Sequence, residues 1–217
     1  MDLRITKYAK EKQVENEYYR LFHVKNLLPN VRPERISFAK TIFMRVAVVG
    51  ATGLVGQYSM GNEPSFHIPY LYNYTKSPWK TQKRIRFLLD AWFKDNIYGI
   101  PGDEDGGGMS AFVVFSSMGF YPITPGIPVY TIGSPLFSKI KINLPNGKVF
   151  TINAPNCNEK NKYIQKASLN GKNLDGPWFT HEDLVNGGTL ELEMGSHPNK
   201  AWGASEENVP QIFKTSN

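Results

Sequence analysis

The stretch Gly99-Ile100-Pro101-Gly102-Asp103-Glu104-Asp105-Gly106-Gly107-Gly108-Met109-Ser110-Ala111-Phe112 sets three consecutive carboxylates between glycines and opens directly into an apolar run. Glycines on both sides allow backbone conformations closed to other residues, so the loop can aim several acidic side chains into one small volume. Three adjacent like charges are unfavourable unless a cation, a basic partner or a proton offsets them. Taken alone, the loop has two readings. It is either a solvated acidic turn whose carboxylates favour the N-terminus of the following helix, or an acidic site. A second polar cluster upstream, Gly61-Asn62-Glu63-Pro64-Ser65-Phe66-His67-Ile68-Pro69-Tyr70, favours the site.

Working outward, residues 109–118 are apolar nearly all round, which predicts a helix buried between other helices, ended by Gly119 in the C′ manner. Upstream, Ser77-Pro78 is a helix start, with Ser77 as N-cap and Pro78 at the first helical position. Ile85, Leu88, Leu89, Trp92 and Phe93 then recur at helical spacing through Asn96. Past Pro125 the period switches. Residues 129–132 read as a short strand, and 140–144 and 148–152 alternate around Asn146-Gly147, a hairpin signal. A strand over 164–169 meets a second Asn-Gly at Asn170-Gly171, Thr180 with Asp183 forms a capping arrangement, and residues 189–194 alternate apolar with acidic. The fold class expected is mixed α and β, helices first and then a small antiparallel unit, with residues 204–217 as a solvated tail.

Composition bounds the function. With 217 residues, 41% hydrophobic and 20% charged, the chain is an ordinary globular one. The net charge of +6 is carried by residues 1–60, with ten Lys/Arg against five Asp/Glu, whereas residues 61–217 hold fifteen against fourteen. No basic face follows, and no nucleic-acid partner is expected. Cys157, the single cysteine, excludes a disulfide framework and a Cys-rich metal site and reads as a bystander. No apolar run reaches membrane-spanning length, and the first twelve residues lack the apolar core of a secretion signal, so the chain is expected to be cytoplasmic.

Residues 1–43 are charged and poorly specified. Met44-Arg45-Val46-Ala47-Val48-Val49 reads as a buried strand running into Gly50-Ala51-Thr52-Gly53-Leu54-Val55-Gly56, a glycine-rich turn of the sort that lets backbone approach a pyrophosphate. Residues 44–57 resemble the first strand and nucleotide loop of aspartate-semialdehyde dehydrogenase, an NADP-dependent enzyme. The resemblance stops there, because Gly61 and Pro64 would break the helix that a dinucleotide fold needs next.

Asn62, Glu63, Asp103, Glu104 and Asp105 form an oxygen-rich set suited to a hard cation such as Ca2+, and zinc fits less well without a Cys/His cluster. The same carboxylates suit a general base. Several blocks carry the reading further: residues 61–74, Pro78-Trp79-Lys80-Thr81-Gln82-Lys83, residues 101–112, Gly119-Phe120-Tyr121-Pro122, residues 130–137 and Pro198-Asn199-Lys200-Ala201-Trp202-Gly203. Over residues 57–203 they resemble, in order, the calcium-dependent exo-α-mannosidases of glycoside hydrolase family 92. The resemblance implies an inverting hydrolase with an (α/α)6 barrel facing a β-sandwich, and α-mannoside glycans as substrates. It implies Asp103 and Asp105 at water-activating positions, Asn62, Glu63 and His67 at the sugar, and Asn62, Glu63 and Asp105 at Ca2+. Family members are several times longer, so the general acid is expected in sequence preceding the Gly61 motif, and full-length relatives are expected to be periplasmic or extracellular. The domain layout expected is 1–43 unspecified, 44–57 loop-like, 58–125 partial barrel helices, 126–203 β unit and 204–217 tail. The function expected is the C-terminal portion of such a mannosidase, truncated and partnered by the missing N-terminal half. A non-catalytic carbohydrate- or partner-binding remnant and an NADP-binding dehydrogenase fragment are the alternatives.

Overall fold

A computed structural model of the chain describes residues 60–210. The readings of 1–43 and 44–57 lie outside the described residues, as do 211–217. Two short 3-10 segments, Glu63–Ser65 and Ile68–Thr75, lead into helix α1, Pro78–Trp92. Pro78 stands in the first turn as expected, but Ser77 makes no side-chain cap and instead donates to the Thr75 carbonyl at 3.4 Å. The helix stops at Trp92, four residues short of the expected Asn96, where Phe93 turns extended. Ile85, Leu88 and Leu89 are buried.

Helix α2 spans Gly108–Met118 and ends at Gly119, whose φ of 97° lets its N–H reach the Phe115 and Ser116 carbonyls. Met109, Phe112 and Ser116 face inward. Val114, however, is 55% exposed, so the burial on all sides expected from its composition does not hold among the described residues.

The β unit has two sheets. Strands β1 (Phe120–Tyr121), β2 (Val129–Ile132) and β7 (Trp178–Thr180) form one in the order β1-β2-β7. Strands β3 (Lys139–Asn143), β4 (Val149–Asn153), β5 (Tyr163–Leu169), β6 (Lys172–Asn173) and β8 (Gly188–Gly195) form the other in the order β3-β4-β8-β5-β6. The Asn146-Gly147 hairpin pairs Asn143 with Val149, and at the second Asn-Gly the two turn residues, φ 51° and 77°, join Leu169 directly to Lys172. Positive φ at both positions is what a type I′ hairpin requires. The sheet is not wholly antiparallel. Strand β8 lies parallel to β4 on one side and antiparallel to β5 on the other. The intervening 34 residues (154–187) give room for the crossover that parallel pairing needs.

Alternation in β8 buries Leu190, Leu192 and Met194 and exposes Glu191 and Glu193. These side chains join Phe120, Ile132, Phe150, Ile152, Ile164, Phe179 and Trp202 in one core. Short helix α3, His181–Val185, starts with a full capping box: Asp183 N donates to Thr180 Oγ1 at 3.1 Å and Thr180 N donates to Asp183 Oδ2 at 2.8 Å. The residues after 203 are not all a solvated tail. Glu206–Asn208 forms a 3-10 turn, Trp178 Nε1 donates to the Asn208 carbonyl at 3.2 Å, Lys76 pairs with Glu206, and Pro210 is buried.

Buried polar bonds fasten helices to sheets. Ile164 N donates to Gln82 Oε1 at 3.0 Å, and Asn73 Nδ2 donates to the Ile132 carbonyl at 2.8 Å. Arg86, nearly buried, donates to the carbonyls of Pro135 and, at 2.7 Å, Asn158. Cys157 donates to the Pro135 carbonyl at 3.0 Å, a structural part consistent with its bystander reading. No helix among the described residues is long and apolar enough to cross a membrane.

Candidate active site

The two polar motifs meet because glycines let their backbones touch. A Cβ built on Gly102 would lie 2.6 Å from Gly61 Cα and closer still to the Gly61 carbonyl oxygen, so only glycine permits this approach. Six residues on, a Cβ on Gly108 would lie 3.3 Å from Glu63 Cγ, so the Glu63 side chain runs across the start of α2. Below, Phe66 and Phe112 rings stand 5.0 Å apart, and Phe112 and Tyr121 meet edge to face at 5.4 Å. Tyr70 stacks on Tyr121 at 5.5 Å and bonds Ser116 Oγ at 2.9 Å through its hydroxyl. An aromatic floor thus carries an acidic rim.

On that rim the Asp105 carboxyl stands beside that of Glu63, and a proton shared with it, some desolvation and the charges of Glu63 and Glu104 push Asp105 above the usual carboxylate range. Asp105 is exposed and its φ is 54°, followed by Gly106 at 65° and Gly107 at 102°. Glu104 turns the other way: its Oε1 accepts from Ser110 N at 3.2 Å and its carbonyl accepts from Met109 N at 3.2 Å. The pKa of the Tyr121 phenol is raised by burial and then by the Glu63 charge. His67 is half-buried, its Nε2 has no hydrogen-bond partner, and burial lowers its pKa.

Of the residues singled out in the sequence, Glu63, Glu104 and Asp105 share one patch. Asn62 begins the first 3-10 segment with its carbonyl accepting from Ser65 N at 3.1 Å, and its side chain is exposed and makes no cap. Asp103 is exposed at the turn before Glu104. No three His, Cys, Asp or Glu side chains among the described residues converge as a metal cluster. Tyr121 was not singled out, although it sits in the quoted Gly119-Phe120-Tyr121-Pro122 block. The roles of Gly102 and Gly108 also escape sequence reasoning, because a glycine signals freedom without saying what approaches it. Trp79, Trp178 and Trp202 pack rather than offer open faces: Lys80 and Lys200 lie over the Trp79 ring, and Trp202 Nε1 donates to the Leu174 carbonyl at 2.9 Å.

Comparison with known proteins gives the family of the chain. Residues 28–196 match the glycosyl hydrolase family 92 catalytic domain, a span that starts upstream of residue 57. An uncharacterized secreted glycosidase of Arthroderma benhamiae is 42% identical over 154 residues, covering 70% of this chain and 20% of that protein. A family 92 alpha-mannosidase of Bacteroides thetaiotaomicron, solved with mannoimidazole, superimposes with a TM-score of 0.69 at 39% identity, over 72% of this chain and 21% of its own. A family 92 inverting mannosidase of the same species gives 0.67 at 41% identity, over 84% and 24%. The chain therefore spans about a fifth of the length of these relatives. Nothing among them supports the dinucleotide-loop reading of residues 44–57. With a match over most of its length and relatives at about 40% identity, this chain belongs to glycosyl hydrolase family 92.

Proposed function

We propose that the chain forms the water-activating and cation-binding side of a calcium-dependent, inverting exo-α-mannosidase centre that hydrolyses terminal α-mannosides. The observation that supports this most is the apposition of Glu63 and Asp105, delivered by the Gly61–Gly102 contact. Two carboxylates within hydrogen-bonding reach need a shared proton or a cation between them. Their oxygen chemistry suits Ca2+, which takes six to eight oxygens from carboxylates, amides, carbonyls and water. Asn62, Glu63 and Asp105 would hold the ion, with backbone carbonyls completing the set. Bound there, Ca2+ would supply a fixed positive charge for sugar hydroxyls.

The chain's own residues do the rest. Asp103 or Asp105, ionised, takes a proton from the attacking water. In an inverting hydrolysis the acid stands across the sugar, about 6.5–9.5 Å from the base. This reading assigns the acid to sequence outside the described residues. Neutral His67 offers an unpartnered ring nitrogen to a sugar hydroxyl. The Phe66–Phe112–Tyr121 floor excludes water from beneath the carboxylates.

The test incubates the 217-residue chain with a chromogenic α-mannoside in Ca2+ and in EDTA, and follows the anomer released by proton NMR. Calcium-dependent release of the inverted anomer, lost in Asp105→Ala and Asp103→Ala, is expected. Retention of configuration, or release indifferent to both substitutions, sinks the reading. Binding of mannoside without hydrolysis would favour a non-catalytic carbohydrate-binding role.

A further inference from the structure

Glu104 stands between the two aspartates assigned to water activation, yet that reading gives it no task. Its Oε1 accepts from Ser110 N six residues ahead at 3.2 Å, its carbonyl accepts from Met109 N at 3.2 Å, and its Oε2 is buried without a hydrogen-bond partner. The chain between these anchors carries three successive left-handed residues, Asp105, Gly106 and Gly107. Glycine takes that conformation freely, but an Asp does so at a cost and persists there only where its surroundings fix it.

We propose that Glu104 is a positioning residue. By bonding the Ser110 amide it closes residues 104–110 into a loop, and the closed loop keeps Asp105 left-handed with its carboxyl at Glu63. A carboxylate at the first turn of a helix is favourably placed for such a bond. The role depends on reach and an acceptor oxygen, not on charge. Gln keeps both, whereas Asp keeps the charge and loses one methylene of reach. As far as it concerns ligand binding, the inference rests on the calcium reading above.

The experiment compares Glu104→Gln and Glu104→Asp in the isotopically labelled 217-residue chain. It measures Ser110 amide exchange, the Asp105 backbone couplings, and Ca2+ binding by calorimetry. In Glu104→Gln, Ser110 stays protected, Asp105 stays left-handed, and Ca2+ affinity remains near that of the wild type. In Glu104→Asp the first two are lost and Ca2+ affinity drops about 10–100-fold, the range for residues that orient metal ligands. Unchanged Asp105 couplings in Glu104→Asp overturn the proposal. So does a Glu104→Gln variant as impaired as Glu104→Asp, since charge would then be the cause. A wild-type chain that takes up no Ca2+ refutes the calcium reading alone, and the Ser110 and Asp105 signals still decide the role of Glu104.

Discussion

Glu63 and Asp105 stand side by side, and Asp105 keeps its proton to higher pH than a free carboxylate would. Because the folded-state pKa of Asp105 is raised, the native chain binds more protons than the unfolded chain above the ordinary carboxylate value. Stability should therefore fall as pH rises from that value through the raised one. In EDTA, Asp105→Asn is expected to flatten this part of the denaturation profile, and parallel slopes for variant and wild type would refute the pairing. His67 behaves with the opposite sign. Burial lowers its pKa from 6.5, so its contribution is present above that value and fades as pH falls below it. His67→Gln should remove that acid-side loss, read by the same titration.

At the scale of elements, the site depends on where backbones can touch. Gly102→Ala forces a methyl into Gly61 backbone, which cannot swing aside, and should cost about 3 kcal/mol, the upper end for overpacking. Gly106 has open space around it and only its φ of 65° to lose, so Gly106→Ala should cost about 1 kcal/mol. Equal midpoints for the two variants in urea would show that the Gly61–Gly102 contact does not join the motifs. Local signals elsewhere were legible because they are local. Thr180 and Asp183 form the expected capping box, and Thr180→Ala should cost about 1 kcal/mol by thermal unfolding. The Asn-Gly hairpins likewise fall where the dipeptides stand. Ser77 failed as a cap because its hydroxyl turned back to Thr75, a competition that sequence spacing does not display.

Across the whole molecule, helices and sheets are coupled through buried polar groups. Gln82→Leu would orphan the Ile164 amide inside the β unit and should cost about 1–3 kcal/mol. A loss confined to helical signals, with the sheet unfolding unchanged, would show instead that the two parts fold separately. Exposed apolar side chains occur on both parts, Ile97 at 90% and Val114 at 55% among the helices and Phe137 at 56% in the β unit.

The sequence by itself determined the family, through ordered blocks from Gly61 to Gly203. It also determined the mixed α and β class and the positions of helices, hairpins and the final alternating strand, because period and turn chemistry act over a few residues. It brought Glu63, His67, Asp103 and Asp105 forward as candidates by residue type. Only the tertiary structure decided which carboxylates meet, that β8 runs parallel to β4, that Tyr121 closes the floor, and that Glu104 turns away to Ser110. Those outcomes depend on contacts between segments from six to about 40 residues apart and on backbone angles at a few residues, and neither leaves a periodic trace in the chain.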